Sequence, residues 1–218
     1  MNRKLPEWLD VTPWINRTYT AADVRRALIT EDPDESTLAA LLSDEGRDLL
    51  EQMAARAQAL TYRHFGRTIQ LYVPLYLSSY CSGGCAYCGF AADRQDVRHV
   101  LSFQSVEGEL EAIKTMGFDE VLLLTGERSS RADFSYIEEC VRMAARRFHT
   151  VAVEVFPMTE DEYRGLARAG CTSVTLYQET YHFETYDVMH RWGPKKDYWK
   201  RLDGPSRALG GGLRFAGL

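Results

Sequence analysis

An α/β fold built on a parallel sheet is what this sequence predicts, and three observations predict it. From residue 68 onward, short β-rich apolar runs alternate with longer windows whose apolar residues recur at helical spacing. One run, Val121-Leu122-Leu123-Leu124, is apolar without interruption, as strands are when a parallel sheet buries both faces. Gly117 and Gly170 stand just past two of the helical windows, where stop signals belong. The sheet is either open or curled into a barrel. In both forms the working residues gather on the rim where strands end and loops begin.

Residues 1–67 read as a helical extension and residues 68–218 as the α/β body. In the extension, Thr20 and Asp23 have the spacing of a capping box ahead of Val24, Ala27 and Leu28. Asp32-Pro33-Asp34 punctuates the chain before a short helix over 36–42. A longer helix follows, with Leu49, Leu50, Met53, Ala54, Ala57, Leu60 and Thr61 on one face and Gly66 past its end. Packing is the role expected of that stripe, and Trp8 and Trp14 are expected to pin the arm to the body. In the body, 69–77 reads as the first strand and 106–116 as a helix capped by Ser105. A strand over 119–125, a helix over 133–147 and a strand over 151–156 ended by Pro157 come next. Thr159 caps the following helix, which runs to Ala169, and 173–177 is the fourth strand. Residues 181–209 read as helix interrupted at Gly193-Pro194 and Gly204-Pro205, and 213–216 is the opening of a fifth strand.

The chain has 218 residues, 45% of them apolar and 26% charged, so a packed core is expected rather than disorder. A net charge of −5 gives no reason to expect nucleic acid or an anionic membrane as partner. The first ten residues carry no apolar signal core, and the longest apolar run is far too short to span a bilayer. A soluble, cytoplasmic protein is expected.

The chemistry concentrates in one stretch, Tyr80 to Phe90, where Cys81, Cys85 and Cys88 stand as C-x3-C-x2-C. Three thiolates can hold one side of an iron–sulfur cluster and leave one iron open, which makes a reactive centre. Gly83, Gly84 and Gly89 are expected to let the loop curl and aim its N–H groups at sulfur. The competing reading is structural zinc, with His99 as the fourth ligand. Ligand count and softness favour the cluster. Cys140, on the apolar stripe of its helix, and Cys171, on the opposite rim, are expected to be core thiols.

An open iron needs a ligand from solution, and the amine and carboxylate of an amino acid can chelate it. Glu127, at the end of the neighbouring strand, is placed to hold such an ammonium group, unless it is a solvated surface carboxylate. Tyr87 either lies near a nucleoside bound at the cluster or simply packs. Gln178 and Glu179 either accept hydrogen bonds from ribose hydroxyls or a polar substrate, or are ordinary rim residues. Glu154 faces inward or outward. His182 and His190 are read as solvated or structural.

The cysteine spacing, with an aromatic residue before the last cysteine, resembles the signature of radical S-adenosylmethionine (SAM) enzymes. Val73-Pro74-Leu75-Tyr76-Leu77-Ser78, Cys85-Ala86-Tyr87-Cys88-Gly89-Phe90, Leu123-Leu124-Thr125-Gly126-Glu127 and Tyr177-Gln178-Glu179-Thr180-Tyr181-His182 narrow the resemblance. Together they are similar to the tyrosine lyases of thiamine thiazole biosynthesis, the 2-iminoacetate synthases. Hydrogenase-maturation tyrosine lyases and tryptophan lyases are related alternatives. The resemblance implies a partial TIM-type (βα)6 barrel, here with four to five βα units, behind an N-terminal helical extension. It implies a [4Fe–4S] cluster on Cys81, Cys85 and Cys88, with SAM on the open iron. Thr125-Gly126-Glu127 stands where the wider family has Gly-Gly-Glu, so Glu127 would hold the SAM ammonium, and Gln178 and Glu179 would sit near the ribose and substrate.

The implied reaction begins when one electron, from a donor such as flavodoxin or ferredoxin, cleaves SAM to a 5′-deoxyadenosyl radical. That radical takes hydrogen from the amine of tyrosine, and the Cα–Cβ bond breaks to give 2-iminoacetate and p-cresol, the former passing to thiazole synthase. The barrel of this family needs about six units. Gly210-Gly211-Gly212 and the end at Leu218 are therefore expected to mark a truncation inside it, the alternative being a glycine-rich tail that leaves the strand-four edge uncovered. Turnover is expected to be weak or absent.

Overall fold

The structure is a computed structural model describing residue 6 and residues 9–217. Trp8 lies outside the described residues, as does most of the stretch free of a signal core. The chain divides into two compact units, one reaching Ile69 and the other running from Gln70.

The first unit is helical: α1 (Thr12–Ile15), α2 (Ala21–Ile29), α3 (Glu35–Leu41), a 3-10 helix over Asp44–Leu49, and α4 (Leu50–Phe65). Thr20 and Asp23 close a reciprocal capping box on α2, and Asp34 and Thr37 close another on α3. Helix α4 ends at Gly66, whose φ of +65° suits glycine. The packing role expected of the α4 stripe is not met: the helix buries no residue, and Leu50 is 62% exposed. Its neighbours within the unit, the 3-10 turn and α2, cover the stripe only in part, leaving Leu49, Met53 and Leu60 half-buried and Ala54 and Ala57 exposed.

The second unit is a five-stranded parallel sheet in the order β1-β2-β3-β4-β5. The strands are β1 (Val73–Tyr76), β2 (Glu120–Leu124), β3 (Thr150–Glu154), β4 (Ser173–Thr175) and β5 (Phe215–Gly217). Helices α5 (Phe103–Thr115), α6 (Phe134–Ala145) and α7 (Glu160–Ala169) connect the first four. Between β4 and β5 come α8 (Phe183–Met189), a 3-10 turn at Pro194–Lys196, α9 (Tyr198–Leu202) and α10 (Gly204–Gly210). Gly193 and the Gly204-Pro205 pair mark the interruptions expected there, because Pro205 opens α10 rather than breaking it.

Helix starts follow local chemistry. Thr159 and Glu162 form a capping box on α7, and Asp133 caps α6. On α5 the cap is Ser102, not Ser105: the Ser102 side chain accepts from the Ser105 N–H, so the helix begins three residues earlier than expected. The predicted first and fourth strands are longer than the observed ones, since pairing with β2 starts only at Val73 and the pairing of β4 with β3 ends at Thr175.

Alternation divides the sheet into two faces. Val121, Leu123, Val151, Val153 and Val174 join one core with Val106 and Leu110 of α5, Ile137 and Val141 of α6 and Leu166 of α7. Cys140 and Cys171 belong to that core. Burial pushes both thiols up to about 12, which fits inert core groups. In the last register row, Tyr76 is opposite Leu124, Leu124 opposite Glu154, and Glu154 opposite Thr175. All four line a cavity at the C-terminal rim.

Candidate radical SAM site

The cavity measures about 390 Å³ and is lined by Cys81, Cys85 and Cys88 from the loop after β1. Tyr87, Thr125, Gly126, Glu127, Glu154, Glu179, Lys195 and Arg201 also line it. Every strand end from β1 to β4 therefore reaches one hollow.

The cysteine loop takes its shape from what is packed on it. N–H donors do reach sulfur: Gly83 and Glu127 donate to Cys81 Sγ at 3.4 and 3.3 Å, and Phe90 donates to Cys88 Sγ at 3.3 Å. None of Gly83, Gly84 and Gly89 has positive φ, so the loop curls without left-handed backbone at these glycines. Gly84 is needed for space: a Cβ there would stand 2.1 Å from the Trp192 ring. Gly126 is needed for the same reason, since a Cβ would lie 2.7 Å from both Cys81 Cβ and the Tyr80 carbonyl. That closeness brings the β2 end against the first cysteine. Arg98 ties the far side of the loop by donating to the carbonyls of Ser79, Gly89 and Ala91.

Glu127 is buried, with 7% of its side chain exposed, and pairs through Oε1 with the Arg201 guanidinium, itself 4% exposed. Arg201 also donates through Nη1 to the Tyr177 carbonyl at 3.2 Å. Burial lowers the Arg201 pKa to about 10. Glu127 Oε2 and Arg201 Nε are buried with no hydrogen-bond partner among the described residues. An unfilled acceptor and an unfilled donor on the two partners of one ion pair are matched by a zwitterion bringing one ammonium and one carboxylate.

Across the cavity, Glu179 pairs with Lys195 at 2.6 Å. Glu179 is the one non-glycine residue with positive φ, +71°, among the described residues. Strain of that kind persists where surrounding contacts over-determine a functional side chain. Glu154 faces inward, and burial followed by the nearby Glu179 charge raises its pKa.

Of the residues singled out in the sequence, Cys81, Cys85, Cys88, Tyr87, Glu127 and Glu179 are brought together. Gln178 is not: it is 2% exposed, donates through Nε2 to the Tyr198 carbonyl at 3.4 Å, and does not line the cavity. His99 is exposed on the connection and lines no part of the cavity, and no group of three His, Cys, Asp or Glu among the described residues is set to grip a single metal ion. Sequence reasoning missed Arg201 and Lys195 as site residues and read His190 as solvated or structural. Arg201 sits in a short helix whose pattern looks like a solvated basic turn, and only the tertiary fold turns it inward.

A profile of the Radical SAM superfamily matches residues 75–214, and the chain belongs to that superfamily. Among curated proteins it is 39% identical over 212 residues to the 2-iminoacetate synthase of Salmonella typhimurium (strain LT2) and 40% identical to that of Escherichia coli (strain K12). Both matches cover 97% of this chain and 56% of the relative, so the chain spans little more than half the length of these proteins. Among solved structures it is similar to HydG, a maturase of the [FeFe]-hydrogenase, with a TM-score of 0.86 and 28% identity, over 95% of this chain and 47% of that one. The sheet is thus a partial barrel of radical SAM type behind a helical N-terminal part.

Radical SAM proteins use a [4Fe–4S] cluster and SAM, and the residues present fit both. A four-iron cube binds each thiolate at a different iron, so three soft donors standing apart around a hollow suit it where a single ion is not suited. The unpaired Glu127 Oε2 and Arg201 Nε suit the amino-acid end of SAM.

Proposed function

We propose that this chain acts as a radical SAM carbon–carbon lyase that cleaves the Cα–Cβ bond of tyrosine. The products are 2-iminoacetate, for the thiazole of thiamine, and p-cresol. Similarity of 39–40% to two 2-iminoacetate synthases supports the substrate. The observation that carries the chemistry is the buried Glu127–Arg201 pair with one unsatisfied atom on each partner, beside three cysteines in one cavity.

Cys81, Cys85 and Cys88 would hold the cluster. The bound cluster and SAM, with an electron from a flavodoxin or ferredoxin, would supply the radical hydrogen-abstraction chemistry. Glu127 Oε2 accepts from the SAM ammonium, and Arg201 Nε donates to its carboxylate, so the amino-acid end is fixed by charge-assisted hydrogen bonds at both poles. The aromatic face of Tyr87 borders the nucleoside. Glu179, held by Lys195, and Glu154 supply carboxylates for the ribose and the substrate amine. Leu124, Val155 and Leu176 line the floor with apolar surface and keep water from the reacting atoms. Passage of the product to thiazole synthase belongs to the same reading.

Similarity to HydG favours a second reading, a hydrogenase-maturation type of tyrosine lyase, but at 28% identity it is the weaker of the two. Anaerobic reconstitution with iron and sulfide, followed by SAM, reductant and tyrosine, tests the proposal. The expected result is a brown protein that forms 5′-deoxyadenosine and p-cresol. A colourless chain holding stoichiometric zinc overturns it.

A further inference from the structure

His190 is wholly buried, with 0% of its surface exposed, and it does not line the cavity itself but stands behind Tyr87, which does. Its Nδ1 lies 2.8 Å from the Tyr186 carbonyl, which can only accept, so Nδ1 carries the proton. Nε2 is then a bare acceptor, and the Tyr87 hydroxyl, 2.7 Å away, donates to it. The two rings meet edge to face at 89° with centroids 5.6 Å apart, and Tyr186 backs the imidazole from behind at 3.9 Å. From the cavity side, Lys195 Nζ stands 5.9 Å from the centre of the Tyr87 ring. Tyr87 itself is 46% exposed, so without these contacts its ring would be free to turn.

The same segment is stitched to the cysteine loop by two backbone hydrogen bonds and one from a side chain. Gly84 donates to the Trp192 carbonyl at 3.0 Å, Ala86 donates to the Met189 carbonyl at 2.8 Å, and Arg191 Nε donates to the Gly84 carbonyl at 2.9 Å. His190 therefore does not float beside the loop; it is held in register with Cys85.

We propose that His190 is a positioning residue of the cofactor pocket: through the Tyr87 hydroxyl it fixes the ring that walls the nucleoside of SAM. The inference rests on the reading that this cavity takes SAM, and adds that the tightness of SAM binding depends on a buried side chain that never touches it. A merely structural histidine would set loop stability and cluster retention instead, without a specific effect on SAM.

The test uses the 218-residue chain, reconstituted anaerobically, with SAM affinity read by equilibrium dialysis and iron read per chain. Tyr87→Phe removes the hydroxyl, keeps the ring and leaves the fold least disturbed. It and His190→Leu are each expected to weaken SAM about tenfold at unchanged iron content, the size of one lost buried hydrogen bond. The double variant is expected to be no worse than either single one, because both remove the same link. His190→Gln, whose amide can both donate to Tyr186 and accept from Tyr87, is expected to stay within about threefold of the parent. A Tyr87→Phe chain that binds SAM as tightly as the parent overturns the proposal, as do losses that add in the double variant. A parent chain that loads iron but binds no SAM overturns the functional reading along with it.

Discussion

Glu127 and Arg201, 74 residues apart in sequence, form an ion pair whose two side chains are almost wholly out of water. Such a pair adds little net stability over an apolar pair, but breaking it strands a charge. Arg201→Met is therefore expected to cost about 3–5 kcal/mol in urea denaturation, since Glu127 is left uncompensated. Glu127→Gln combined with Arg201→Met should recover most of that loss while abolishing SAM binding.

The cysteines separate into two classes by position. Cys81→Ala, Cys85→Ala or Cys88→Ala should each leave a reconstituted chain nearly free of iron and of visible absorbance. Cys140→Ala and Cys171→Ala should retain iron at the level of the parent, because both thiols sit in the core among the helices and strands. Iron and acid-labile sulfide per chain decide this.

Two glycines are fixed by neighbours rather than by backbone angle. Gly84→Ala would drive a Cβ into Trp192, and Gly126→Ala would drive one into Cys81 and the Tyr80 carbonyl. Each should destabilise the chain by about 1–3 kcal/mol, the usual cost of overpacking, and reduce iron uptake. Trp192→Ala should rescue Gly84→Ala, because it removes the atoms in the way. Nothing comparable can rescue Gly126→Ala, whose obstacles include backbone.

Alkaline pH should weaken the iron-free fold through its core thiols. Cys140 and Cys171 ionise at about 12 when folded, against 9.0 for an unperturbed thiol. A raised folded value means the native state holds the proton more tightly. The stabilisation is complete below pH 9.0 and is lost as pH climbs toward 12. The denaturation midpoint should fall across that window, and the fall should be shallower in the Cys140→Ala/Cys171→Ala double variant.

Much of the body was legible because its signals are local. A continuous apolar run marked β2, the capping Thr159 marked the start of α7, and three cysteines in eight positions marked the cluster loop. What was illegible depends on long-range contact. Gln178 and Glu179 are neighbours in sequence, but positive φ at Glu179 turns one side chain into the cavity while its neighbour stays buried against Tyr198. His190 looked like a loop histidine because nothing local reveals that Tyr186 and Tyr87 enclose it. The α4 stripe misled in the other direction: its periodicity was read as packing, whereas the helix buries no residue and its stripe is at most half-buried.

The stitching of the cysteine loop to residues 189–192 bears on when the site can exist during synthesis. Arg191 reaches Gly84 across 107 positions, and His190 reaches Tyr87 across 103. A nascent chain exposes all three cluster cysteines long before the ribosome has made the residues that brace them. Until then the thiols sit on an unbraced loop, open to oxidation and to adventitious metals. Iron delivered before residues 189–192 have emerged meets the cysteines without these braces, and iron delivered afterwards meets a loop held by them.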